Sequence, residues 1–283
     1  MSTTTPERVA GIPRDEVRAS ITRAEVVLVA ASCAMQVVAL TVLDGRLEAG
    51  STGRFAFSTI EMAFVVALVA QGWRLVVWSR RPGRDPLVAV AARWCLASLV
   101  LCALGDLVNR NFPQRSFEFD EVLRHSYLVT SIWFFLPGYA IVVAINRRVS
   151  RGSVSAARAA ATVLVGAALG LIAAFANAVP GLARYPSTMI AAYTVVLATL
   201  AASTVWLVVA YGWRPARVVV AGCLLAVLAD ALIGSFWIAT DHYPTIEHVN
   251  WIPYFASLAM IQRLPFLVAD HHPTKEGPSA GPA

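Results

Sequence analysis

The chain of 283 residues is 58% hydrophobic and 14% charged, with a mean hydropathy of +0.64. That balance excludes an ordinary soluble domain, in which about a quarter of the residues are charged. The net charge of +6 reflects the gathering of Lys and Arg in the loops of one membrane side, so no nucleic-acid partner is expected.

A membrane-spanning helix needs about 20 apolar residues. Eight stretches qualify, at about 24–44, 55–78, 87–108, 125–145, 158–179, 188–211, 217–239 and 248–269. The expected fold is an all-α polytopic membrane helix bundle of eight transmembrane helices. Residues 1–23 form a cytoplasmic head, 24–270 the transmembrane domain, and 271–283 a disordered cytoplasmic tail. The first stretch is too long for a cleaved signal and no small-residue cleavage pattern follows it, so it reads as a retained helix. Basic residues set the orientation, because Lys and Arg are retained on the cytoplasmic side. They crowd the head (Arg8, Arg14, Arg18, Arg23), the even loops (Arg80, Arg81, Arg84; Arg147, Arg148, Arg151, Arg158; Arg214, Arg217) and the tail (Lys275). The odd loops hold fewer: Arg46, Arg54, Arg110, Arg115, Arg124 and Arg184. Both termini are therefore expected to be cytoplasmic, in a multi-pass protein of the cell membrane.

The second span runs inward and places Glu61 about 9 Å deep at 1.5 Å per residue. The third runs outward and delivers Asp106, Asn109 and Arg110 near its outer end. Beyond it, Glu118, Asp120 and Glu121 read as a solvated acidic loop, with a metal or diphosphate role as the alternative. The fourth span enters with His125, Ser126 and Tyr127, followed by Trp133, Phe134, Phe135, Pro137 and Tyr139. In the fifth, Gly166 and Gly170 form a small-xxx-small packing face. The seventh carries Asp230 about 13 Å from its outer end, with Phe236 and Trp237 after it. The eighth enters with Asn250, Trp251, Pro253, Tyr254 and Phe255. Arg74 and Arg93 read as snorkelling anchors near the inner face.

A carboxylate in hydrocarbon costs roughly 2.5–3.5 kcal/mol on insertion scales, so each intramembrane acid is a candidate functional group. Three helices bring Glu61, Asp106 and Asp230 to one half of the bilayer, and these are the candidate catalytic residues. Asp106 has a structural alternative in an i,i+4 pair with Arg110, and Glu61 in a polar partner on a neighbouring helix. Asp230 has no basic residue within a turn, and a buried, neutral carboxyl is a candidate general acid. Trp133, Phe134, Tyr139, Phe236, Trp237, Trp251 and Tyr254 are candidates for contacting substrate or stabilising a cation. Interfacial belt positions are the alternative for Trp251, Tyr127 and Trp237. His125, Tyr127, Asn109 and Arg110 are supporting candidates.

Other chemistries lack their motifs. Cys33, Cys95, Cys102 and Cys223 fall inside spans without CxxC spacing and read as small apolar residues. His242, His248, His271 and His272 fall in loops or the tail and form no zinc motif, so no metal site is expected. P-loop, GxGxxG and GxSxG patterns do not occur. No DDxxD or NDxxDxxxD run is present for magnesium-assisted diphosphate ionisation, and no cofactor is implied.

Leu104-Gly-Asp106 and Gly222-Cys-Leu-Leu-Ala-Val-Leu-Ala-Asp230-Ala-Leu resemble the YhhN family, which includes the lysoplasmalogenases. The stretch Tyr254-Phe-Ala-Ser-Leu-Ala-Met-Ile-Gln262 is similar to that family's closing helix. The resemblance implies an eight-helix scaffold in which Asp106 and Asp230 form an acidic pair cleaving the vinyl ether of lysoplasmalogens. The family's Lys-Pro-Leu in the second helix has no counterpart; Glu61 occupies that region. Its Gly-rich approach to a fourth-helix His is also missing, although His125 lies nearby. Glu61 with Asp230-Ala-Leu-Ile-Gly234 resembles small integral-membrane terpene cyclases of meroterpenoid and indole-terpenoid pathways. There the acids are thought to protonate an alkene or epoxide in an aromatic pocket. The favoured expectation is a metal-independent membrane terpene cyclase acting on a prenyl chain of a lipophilic molecule, in contact with membrane lipid. A lysoplasmalogenase-type hydrolase is the alternative, and a proton- or cation-coupled transporter the third reading. Water access divides the first two, because a cyclase must exclude it and a hydrolase must position it.

Overall fold

Helices begin where the sequence supplies a cap. Ser51 accepts from the backbone N–H of Arg54 at 3.0 Å, and Asp85, followed by Pro86, accepts from that of Leu87 at 2.6 Å. Ser155 accepts in the same way from Arg158, each side chain satisfying an N–H that lacks an intrahelical partner. Gly212, at φ +82°, turns the chain between the sixth and seventh helices.

A computed structural model describes residues 14–43, 47, 51–110, 112, 128–178, 180–238 and 243–271, apart from the side chains of 14, 15, 128, 236–238 and 243–246. The helices are α1 (Arg14–Val42), α2 (Thr52–Ser79), α3 (Pro86–Asn109), α4 (Leu128–Val149) and α5 (Ala156–Ala176). They continue with α6 (Arg184–Tyr211), α7 (Trp213–Leu232), a π-helical segment (Ile233–Ile238), α8 (Tyr243–Ile261) and α9 (Leu264–His271). The fold is all-α, and among the described residues eight helical spans are long and apolar enough to cross a membrane.

Two boundaries differ from the hydropathy reading. Helix α1 starts at Arg14 rather than near 24, because its polar first turns have partners: Arg18 pairs with Asp270 and Ser20 accepts from Arg74. The eighth span is broken between α8 and α9. Pro265 has no N–H for the Ile261 carbonyl four residues back, and that oxygen accepts from the Cys95 thiol instead. Gln262, at the break, donates to the Cys95 carbonyl at 3.0 Å.

Packing runs around a closed ring: α6 on α7, α7 on α8, α8 on α1, α1 on α2, α2 on α3, α3 on α4, and α4 back on α6. Helix α5 stands outside that ring against α6. Gly166 and Gly170 make this approach possible, as anticipated: a Cβ at either would lie 2.7 Å from Thr199 Cα or 2.5 Å from Val195 Cα. The other faces of α5 expose Leu164, Ile172 and Phe175, apolar surface suited to lipid. Inside the ring, Leu68, Leu99, Tyr139, Leu200 and Phe255 are fully buried.

Candidate functional site

Five helices converge on a cavity of about 90 Å3 near one end of the ring. The C-terminal end of α3 supplies Asp106, Asn109 and Arg110, and the start of α4 supplies Ile132 and Phe135. Helix α6 adds Ile190, Tyr193, Thr194 and Leu197; α7 adds Asp230; α8 adds Glu247, Asn250, Trp251 and Tyr254. All five contribute from ends that an alternating topology brings to the same side.

Asp106 and Asp230 both line this cavity, and their surroundings differ. Asp106 is buried, and its Oδ2 accepts from the Tyr254 hydroxyl at 2.8 Å. The sequence alternative, an ion pair of Asp106 with Arg110, is met only in part: the Arg110 charge acts on the Asp106 carboxyl, but the close contacts of its guanidinium go elsewhere. Arg110 bonds instead to Glu247 at 2.7 Å and pairs with Glu61. Asp230 is half-buried, and the Tyr193 and Tyr139 hydroxyls are the groups beside its carboxyl. Its Oδ2 is buried without a hydrogen-bond partner, and no basic side chain pairs with it among the described residues.

Gly105 explains part of this geometry. A Cβ there would lie 2.8 Å from the Phe135 ring, so its absence lets Phe135 lie against α3 next to Asp106. Phe135 meets Tyr254 edge-on, with ring centroids 6.0 Å apart, while Tyr139 stacks on Tyr193 at 6.1 Å. Trp251 lies between Tyr254 and Phe255. Aromatic rings thus flank both carboxyls.

Glu61 is fully buried and does not line the cavity. It belongs to a polar network behind the wall. Gln36 donates to Glu61 at 2.6 Å and meets His248 Nδ1 at 2.7 Å through its amide oxygen. Arg110 bridges Glu61 to Glu247, and Glu247 accepts from Arg54 at 2.5 Å. The Arg110 guanidinium also lies 4.4 Å over the Trp251 ring. Burial works against its charge, and Glu61 with Glu247 outweighs that, holding its pKa above the ordinary value. The network has two cations and two carboxylates, so each buried charge has a partner.

Several sequence candidates stand elsewhere than expected. Trp133 is 58% exposed and donates to the Tyr185 hydroxyl at 2.8 Å, so it faces away from the cavity. Phe134 is half-buried outside the lining, and Phe135 takes the position expected of it. Helical phase is the reason: Ile132, Phe135 and Tyr139 share the inner stripe, and their neighbours turn outward. Trp251 is a buried wall residue rather than a belt residue, and Tyr254 is buried in the same wall. His248 lies within α8, buried, rather than in a loop. His125, Tyr127, Glu118, Asp120, Glu121 and the side chains of Phe236 and Trp237 lie outside the described residues. Arg74 and Arg93 are exposed, consistent with anchoring. Cys33 is half-buried, Cys95, Cys102 and Cys223 are buried, and all four are free thiols.

Tyr193, Glu247, Gln36 and Arg54 were not singled out by sequence as site residues. Glu247 had a readable signal, an acid at the start of an apolar span. Gln36 and Tyr193 had none beyond their polarity inside spans. Among the described residues no group of three or more His, Cys, Asp or Glu side chains is arranged to hold a metal. Comparison with family models, curated proteins and solved structures found no match.

Proposed function

We propose that the chain is an integral-membrane enzyme of the cell membrane in which Asp230 protonates an electron-rich C=C bond or epoxide of a lipophilic substrate. The observation that carries this reading is a carboxyl with no basic partner among the described residues, on a cavity walled by Phe135, Tyr193, Trp251 and Tyr254. A carboxylic acid without a cationic partner can serve as a proton donor, and aromatic faces stabilise the cation that protonation creates. The favoured outcome is cyclisation of a prenyl chain. The Asp230 proton forms a C–H bond at one alkene carbon, or an O–H bond at an epoxide oxygen. The next alkene then supplies its electron pair to the cation, and Asp106, already a hydrogen-bond acceptor, takes the terminating proton. Asp230 recovers a proton from solvent and Asp106 releases one to it, so substrate and product are isomers and both carboxyls return to their starting states. Sequence resemblance to the membrane terpene cyclases through Glu61 and Asp230 leans the same way, with Glu61 now read as a structural charge partner of Arg110.

A second reading has its own observation. Asp106, Asn109 and Asn250 give the cavity a polar edge fit to position water, the acid-and-base division of a vinyl-ether hydrolase. The resemblance to the YhhN family through Asp106 and Asp230 leans toward this outcome.

Membranes containing the protein, incubated with a prenylated aromatic or its epoxide and separately with a lysoplasmalogen, distinguish the two. A cyclic isomer is expected, against a released aldehyde for the hydrolase, and either product acquires carbon-bound deuterium from heavy water when carbon is protonated. Asp230→Asn is expected to lower turnover by about 100-fold or more, the usual contribution of a general acid. Near wild-type turnover by that variant would remove the mechanism, and inhibition by EDTA would remove its metal independence.

A further inference from the structure

Asp230 belongs to two hollows at once. Beside the cavity, a groove of about 270 Å3 lies among the end of α5, the beginning of α6 and the end of α7. The two share Ile190, Thr194, Leu197, Asp230 and Gly234. Small apolar side chains, including Ala173, Ala174, Ala191 and Ala231, line the groove. The main packing of α5 is on α6 and its other faces expose Leu164, Ile172 and Phe175, so a bilayer around the bundle would reach the groove between α5 and α7.

The cavity alone is too small for a lipophilic molecule, since ligand sites commonly measure about 300–1,000 Å3. Its far wall is polar in a particular way. Arg110 Nε and the amide oxygens of Asn109 and Asn250 are buried without hydrogen-bond partners, whereas buried polar groups are normally satisfied. One donor and two acceptors on lining residues are thus available to a ligand. Charge narrows the choice further. Arg110, the one base among the described lining residues, is already engaged by Glu61 and Glu247, and Asp106, Asp230 and Glu247 are acids. A phosphate there would be buried without a free cation and beside carboxylates, a costly arrangement; a hydroxyl, phenol or amide matches the unpaired atoms.

We propose that cavity and groove form one site for a single-chain amphiphile. Its uncharged, hydroxyl- or amide-bearing head packs against Asn109, Arg110 and Asn250, and its hydrocarbon chain passes Asp230 into the groove and out to lipid. Placing the reacting bond in the chain beside Asp230 rests on the proposed chemistry; occupancy of the site does not.

The test uses the full chain in phosphatidylcholine nanodiscs, irradiated with a long-chain alcohol bearing an alkyl diazirine in its chain, and separately with the phosphate monoester of that alcohol. Adducts are located by peptide mass spectrometry, with the lipid-facing stretch 164–172 as internal reference. Relative to that reference, the alcohol is expected to label 173–178, 187–198 and 227–235 several-fold more than the phosphate does. Ala231→Trp, at an exposed position, and Ala174→Leu, on the opposite wall, should each remove groove labelling and spare the reference. Equal labelling by both probes overturns the uncharged head, and labelling that survives both substitutions overturns the groove. Asp230→Asn keeps the two claims apart. Turnover that persists while 187–198 is still labelled sinks the chemistry alone. Turnover lost in that variant, with no groove labelling in the wild type, sinks the site alone.

Discussion

Arg110 holds the polar side of the bundle together. Its side chain is 6% exposed and joins Glu61 on α2 to Glu247 on α8, and removing one partner of such an arrangement leaves uncompensated buried charge. Arg110→Leu is expected to cost about 3–5 kcal/mol of stability, read from thermal or denaturant unfolding in detergent. Adding Glu61→Gln should recover part of that loss, because Glu247 still has Arg54 while Glu61 no longer carries charge. Strict additivity of the two changes would count against the coupling. Glu61→Gln alone should lower stability, with activity falling only as the folded fraction falls; Asp230→Asn should do the reverse. That contrast separates a structural, charge-paired acid from a proton donor, a distinction that membrane depth alone does not make. Depth brought Glu61, Asp106 and Asp230 forward as a group. Their division into a charge-paired residue, a hydrogen-bonded residue and an unpaired one depends on Arg110, Tyr254 and the tyrosines beside Asp230.

Among the elements, helix faces decided what hydropathy left open. The Trp133-Phe134-Phe135 run could place any of its rings inward, and the phase of α4 selected Phe135 for the cavity while Trp133 turned to Tyr185. The α7 helix passes into a π-helical segment just after Asp230. Such a widened turn commonly marks functional sites, and it shifts the register of the residues that follow. The α5–α6 pair is the most legible of the helix contacts, because Gly166 and Gly170 can be recognised four residues apart. Gly170→Leu would force a side chain into the Val195 backbone and is expected to cost at least about 1–3 kcal/mol. Gly152→Ala is expected to be neutral, since a Cβ there meets nothing within 4 Å. Parallel melting curves of the two variants check both, and equal losses would mean that close α5–α6 approach is not what Gly170 provides.

For the molecule as a whole, ring closure of α4 on α6 encloses the site, and the alternation of spans sets which side it opens on. The basic-residue bias predicts the loop between α4 and α5 to be cytoplasmic and the loop between α5 and α6 to lie outside. With Ser153→Cys and Ala183→Cys introduced singly, a membrane-impermeant maleimide applied to intact cells should modify the second and not the first. The opposite pattern would invert the topology and move the cavity to the cytoplasmic half. The number of spans was fixed by composition, since stretches of about 20 apolar residues have few other destinations. The intramembrane acids, too, stood out by their energetic cost before any fold was known. What only the tertiary structure decided was partnership: Arg54 with Glu247, Gln36 with Glu61, Tyr254 with Asp106, and Asp230 beside two tyrosines with no base among the described residues. Hydropathy is a property of neighbours in sequence. Ion pairing and cavity formation join residues distant in the chain, and they depend on helix phase and ring closure, which no local pattern records.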